Sequence, residues 1–83
     1  DDEPLTVTIR RDGAVYIQET PVELAMLGPK LEAITKQKMD TKIYVRGDKS
    51  VEYGKVMQVM GEINAAGFGK VAFLTENSGG RRK

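Results

Sequence analysis

Arg46, Gly47 and Asp48, followed by Lys49, Ser50 and Glu52, form the densest run of chemically versatile side chains in this sequence. A phosphate-cradling loop would need several glycines with a Lys and a Ser or Thr at fixed spacing before a helix. One glycine followed by Asp48 instead brings a carboxylate to where an anion would sit. Gly47 is therefore expected to permit a turn, with Asp48 and Ser50 accepting backbone N–H groups near a helix start. Arg46 and Lys49 are left as candidates for contact with a partner. Asp48 and Glu52 could act as an acid–base pair only in a cleft that separates their proton affinities, and a chain of 83 residues offers little room for one.

The absence of His and Cys removes more chemistry. Nucleophilic schemes lack their usual base and thiolate, and a disulfide framework or thiolate metal site is excluded. Metal binding would rest on carboxylates alone, and no D-x-D-x-D spacing appears. Neither catalysis nor a metal nor a cofactor is expected. With 13 Lys and Arg against 12 Asp and Glu, the chain also lacks the basic excess that tracks a phosphate backbone, so a nucleic-acid partner is not expected. Met26, Met39, Met57 and Met60 are scattered except for Met60, which is read as a core residue.

The elements that must hold these side chains are well punctuated. Leu5, Val7 and Ile9 alternate with Thr6, Thr8 and Arg10, Asp12-Gly13 supplies a tight turn with Gly13 at positive φ, and Ala14 to Gln18 continues the alternation. These make an antiparallel hairpin. Thr20-Pro21-Val22-Glu23 reads as a capping box opening a helix whose stripe is Leu24, Leu27, Leu31 and Ile34. Gly28-Pro29 then implies either a kink at Pro29 or a helix that begins near Leu27. Ile43 to Val45 is a short strand. Ser50 is a candidate N-cap, and Tyr53, Val56, Met60 and Ile63 recur at helical spacing with Tyr53 expected to pack in the core. Gly67 closes this second helix in the left-handed region, and Val71 to Thr75 is the last strand.

Assembled, these give a ββαβαβ order. The predicted fold is an α+β two-layer sandwich, a mixed four-stranded sheet with both helices on one face. A strand returning through one helix to its neighbour runs parallel with a right-handed crossover. Leu5 to Arg10, and whatever follows Thr75, are expected at exposed sheet edges, able to pair with another strand, and the far face should show Thr6, Thr8 and Tyr16. No apolar run approaches the ~18 residues of a membrane span.

Three runs carry a family resemblance: I-Y-V-R-G-D-K at Ile43–Lys49, V-E-Y-G-K-V-M-Q-V-M at Val51–Met60, and A-A-G-F-G-K-V-A-F-L-T-E at Ala65–Glu76. Together they resemble the C-terminal periplasmic domain of the ExbD/TolR family, nearer to TolR than to ExbD, over about residues 5–76. The resemblance implies that residues 1–4 are a linker from a transmembrane helix outside this chain and that residues 77–83 form a C-terminal tail. It further implies a single-pass inner-membrane protein with this domain in the periplasm. Such a protein would be one subunit of a proton-motive-force-driven motor of the Tol-Pal type.

Implied partners are a TolQ/ExbB-like membrane subunit, a TolA/TonB-like trans-periplasmic protein, peptidoglycan and a second copy of the chain. Arg46, Asp48, Lys49, Tyr53, Thr6 and Thr8 are the candidate contact residues, and Gly13, Gly47, Val56, Met60, Ile63 and Gly67 the structural ones. The family's proton-handling aspartate lies in its transmembrane helix, so no residue here takes that role. Two other readings stand beside this one: an ExbD-like subunit energising outer-membrane transport, and a small-ligand-sensing α/β domain with an apolar pocket.

Overall fold

A computed structural model of the chain describes residues 4–76. The expected linker and tail assignments for residues 1–3 and 77–83 lie outside the described residues. The elements run β1 (Leu5–Ile9), β2 (Val15–Ile17), β3 (Thr20–Val22), a single 3₁₀ turn (Leu24–Met26), α1 (Leu27–Thr35), β4 (Ile43–Asp48), α2 (Tyr53–Ala65) and β5 (Val71–Glu76). The sheet is mixed, in the order β3-β2-β1-β4-β5. β1 pairs antiparallel with β2 and parallel with β4, and β4 pairs parallel with β5. The α+β layering is as expected, with five strands rather than four.

The additional strand is the segment read as a capping box. Gln18 takes a left-handed conformation (φ 55) in the two-residue loop between Ile17 and Thr20, which are register partners. Its side-chain Oε1 accepts the Thr6 N–H at 2.7 Å, while its own N–H donates to the Thr6 carbonyl at 2.8 Å. Local hydrogen bonding thus holds a tight turn without glycine, and Thr20-Pro21-Val22 folds back as an edge strand instead of opening a helix. Proline is tolerated there because an edge strand can spare an N–H.

This arrangement also moves β1. With β2 on one side and β4 on the other, Leu5–Ile9 is the middle strand of the sheet, and the exposed-edge expectation for it is overturned. The reason is the right-handed crossover through α1, which returns β4 to the free side of β1; in the centre of the sheet Val7 and Ile9 are fully buried.

α1 begins at Leu27, the second of the two expected alternatives. Pro29 then falls in the first turn, where its N–H would have had no intrahelical acceptor. Leu27 and Leu31 are buried, Leu24 packs against the core from the 3₁₀ turn, and Ile34 is exposed. α2 buries Val56, Val59 and Ile63, with Met60 partly buried beside them. It ends in a Schellman motif: the Gly67 N–H donates to the Asn64 carbonyl at 3.0 Å, the Phe68 N–H to that of Ile63 at 3.4 Å, and Gly67 sits at φ 103. Phe68, the apolar residue just past that cap, is 1% exposed and is among the largest side chains in the core. Gly13 takes its expected positive φ in the β1–β2 turn.

Candidate functional site

Alternation along the strands divides the sheet into two faces. Val7, Ile9, Val15, Ile17, Ile43 and Val45 face the helices and form the core. No helix among the described residues lies over the opposite face, which aligns Thr6 with Tyr44 and Ala72, and Tyr16 with Thr8, Arg46 and Leu74. Arg10 lies over the Tyr16 ring at 4.4 Å, a cation–π contact within the open face. Thr6, Thr8 and Arg46 are therefore brought together, lining a shallow depression with Gln18, Glu19 and Thr20.

The other candidate residues lie elsewhere. Arg46, Gly47 and Asp48 are the end of β4 rather than a turn. Gly47 is buried, and a Cβ built on it would meet the Phe73 ring at 3.2 Å and Val51 Cγ1 at 3.4 Å. The residue is glycine because an aromatic ring occupies its side-chain space, and the turn-permitting role expected for it is corrected accordingly. Asp48 acts as the local acceptor: its Oδ2 takes the Ser50 N–H at 2.9 Å and the Ser50 hydroxyl, and Arg11 Nε approaches it at 3.8 Å. Ser50 is consequently committed to Asp48. The residue that precedes α2 is Glu52, in extended conformation and without a side-chain cap. Lys49 is exposed in the connecting turn.

Tyr53 is 76% exposed, which overturns its expected core position. At roughly 100° per residue, Tyr53 lies about 60° from Val56 on the side occupied by Met57 and Met60. The opposite flank of α2, at Glu62 and Ala66, faces α1: a Cβ on Gly28 would meet Ala66 Cβ at 3.3 Å and the Glu62 carbonyl at 3.4 Å. The Tyr53–Met57 flank is thus directed away from α1, toward the β5 side of the sheet.

β5 is an open edge. The Ile43 N–H donates to the Lys70 carbonyl at 2.8 Å, and with the parallel register this directs the main-chain groups of Ala72 and Leu74 into the β4 ladder. Those of Val71, Phe73 and Thr75 point outward. Phe73 and Leu74, on opposite faces of this strand, are 37% and 50% exposed. The sequence names this strand and expects an exposed edge only beyond Thr75; the apolar pair Phe73-Leu74 is the signal that points to β5 itself. No cluster of three or more His, Cys, Asp or Glu that could hold a metal ion occurs among the described residues.

The family profile described as "Biopolymer transport protein ExbD/TolR" matches residues 1–78. The chain belongs to the ExbD/TolR family. It is 36% identical over 74 residues to the biopolymer transport protein ExbD of Pseudomonas putida, covering 88% of this chain and 52% of that protein. It is 31% identical over 77 residues to ExbD of Escherichia coli K12, covering 93% and 55%. It is 30% identical over 83 residues to the Tol-Pal system protein TolR of Pseudomonas aeruginosa, covering 87% and 57%. The chain spans about half the length of these relatives, and names of both branches occur among them. No helix among the described residues is long and apolar enough to cross a membrane.

Proposed function

We propose that this domain is the periplasmic part of a single-pass inner-membrane subunit in a proton-motive-force-driven motor. A TolQ/ExbB-like multi-helix protein would be its membrane partner, and it would act as a homodimer. It couples the motor to a TolA/TonB-like trans-periplasmic protein, to peptidoglycan, or to both, and performs no catalysis of its own. The observation that carries this reading is the family match across residues 1–78. Support comes from the sheet face that no helix covers and the β5 edge that no strand pairs among the described residues, both of which suit macromolecular contact. The membrane helix that would carry the proton-handling aspartate belongs to the part of the protein beyond this chain.

In the TolR-like form of the proposal, the coupled process is cell-envelope integrity during division. The ExbD-like form, in which the coupled process is uptake across the outer membrane, is favoured by the 36% identity to an ExbD. The deciding experiment expresses the full-length protein, with its cognate membrane partner, in Gram-negative hosts lacking their own ExbD or TolR. Restored energised uptake assigns the ExbD-like role, and restored detergent resistance of the outer membrane assigns the TolR-like one. Failure to restore either, with no cross-link to the membrane partner, overturns the motor reading.

A further inference from the structure

We propose that β1, β4 and β5 form a mechanical clamp, which carries tension between the chain's entry into the sheet at Leu5 and its exit from β5 at Glu76, with the Phe73 ring over Gly47 as its latch. The source of the tension rests on the motor reading. The resistance itself follows from the strand order.

β1 and β5 are both parallel to β4, which lies between them. Leu5, Ile43 and Val71 therefore share one end of the sheet, and Ile9, Gly47 and Thr75 the other. The chain enters at the first end and leaves at the second, so tension between residues 4 and 76 runs along the strands and drives β1 and β5 past β4 in opposite senses. Five register pairs join β1 to β4, and six join β4 to β5. Because ladder hydrogen bonds run from strand to strand, sliding strains all the bonds of a ladder together, whereas a pull across the strands opens them in turn. Sliding also finds no nearby resting place. A shift of one residue turns each side chain to the wrong face, and the next matching register is two residues on, about 6.6 Å away. Between the two, Val7, Ile43 and Val45 must leave the close-packed core they share with Leu31, Val59 and Ile63.

β1 is held on both sides, by β2 and β4, whereas β5 is held by β4 alone among the described residues. The β4–β5 ladder is thus where sliding begins, and there the side chains add a seat. Gly47 yields its side-chain space to Phe73, whose ring carbons Cε1 and Cζ stand 3.2 and 3.3 Å from where a Cβ would be, with Val51 Cγ1 at 3.4 Å from the same point. Phe73 is the register partner of Val45, two residues before Gly47, so its ring leans along β4 toward the end from which β5 is pulled. Any movement of β5 in that direction must lift the ring out of this notch. A side chain that is 37% exposed adds less to the core than a buried one, yet it can block sliding fully.

The test is force spectroscopy on single copies of the 83-residue chain, which has no cysteine of its own and so accepts handles at chosen positions. Pro4→Cys with Glu76→Cys loads the ladders lengthwise. Pro4→Cys with Lys70→Cys pulls across them, since the Leu5 N–H donates to the Lys42 carbonyl and the Ile43 N–H to that of Lys70 at the same end of the sheet. At one pulling speed the lengthwise unfolding force should exceed the crosswise force about twofold or more, although both proteins share one midpoint in urea. Phe73→Ala should bring the lengthwise force down toward the crosswise value and leave the crosswise force unchanged. Equal forces in the two directions, or lengthwise unfolding in which the strands detach one after another, overturn the clamp. A lengthwise force unmoved by Phe73→Ala, or a proportional fall of both forces, overturns the latch. These measurements involve no membrane partner and no host cell, so their failure leaves the motor reading to its own test.

Discussion

The two edges of this sheet are built to opposite specifications. β3 has three residues, and the Ile17–Thr20 pair flanking its tight turn directs Thr20 and Val22 toward β2, so that Pro21 occupies the outward position. The sole outward N–H of that strand is therefore the one proline lacks. β5 has six residues, no proline, and no charge before Glu76, and it directs the main chain of Val71, Phe73 and Thr75 outward. One edge is closed by chemistry and the other is left ready to pair. Natural sheets rarely leave a long apolar edge unprotected, which is why the two edges invite separate tests.

The largest expected effect comes from removing the support under the open edge. Ile63→Asp or Val59→Asp buries an unpaired carboxylate in the core beneath the sheet, at a cost of several kcal/mol that rivals the whole stability of a domain this small. Thermal denaturation should show loss of the cooperative transition, and a midpoint within a few degrees of the parent would disprove the assigned helix face. Next is Gly67→Val, which forces a β-branched residue to φ 103 at the turn that launches the chain into β5. A loss of more than about 1 kcal/mol is expected in urea titration.

Pro21→Thr tests the closed edge directly. It restores the outward N–H, so stability should move by less than about 0.5 kcal/mol, while light scattering should reveal species larger than the parent assembly. No change in mass distribution would mean that shortness alone, and not proline, closes β3. The smallest effect is a control remote from both edges. Lys36 ends α1 in the left-handed region at φ 56, a place glycine fills more cheaply, so Lys36→Gly should raise stability by up to about 1 kcal/mol with no effect on association.

What could be read without coordinates was whatever short-range chemistry encodes. The β4–α2–β5 unit, the Gly13 turn and the Gly67 cap follow from spacing and backbone preferences within a few residues, while at Gly28-Pro29 those preferences leave a kink and a start near Leu27 both open. Position in the sheet did not follow, because strand order is a long-range property: nothing in L-T-V-T-I says that β4 will lie on its free side. Thr20-Pro21-Val22-Glu23 matched a capping box, and the competing turn at Gln18 carried no glycine to announce itself. Phe68, between Gly67 and Gly69, belongs to no strand or helix named from the sequence, and only the Schellman motif turns it inward. The candidate contact residues were legible as types only, since Thr6, Thr8 and Arg46 share a face that depends on register, while Tyr53 sits on another.

The central position of β1 also bears on how the chain reaches its fold. The strand synthesised first can zip onto β2 through a short turn, but its other side stays open until β4 arrives from beyond β3 and α1. Closing that long parallel contact is slow compared with hairpin formation, because chain entropy is spent before the ladder returns it. Refolding should therefore be limited by the β1–β4 encounter, with the β1–β2–β3 meander as the early structure. Until that encounter, Val7 and Ile9 have no covered layer to enter, and the interval between meander and closure is when the chain is most exposed to off-pathway pairing.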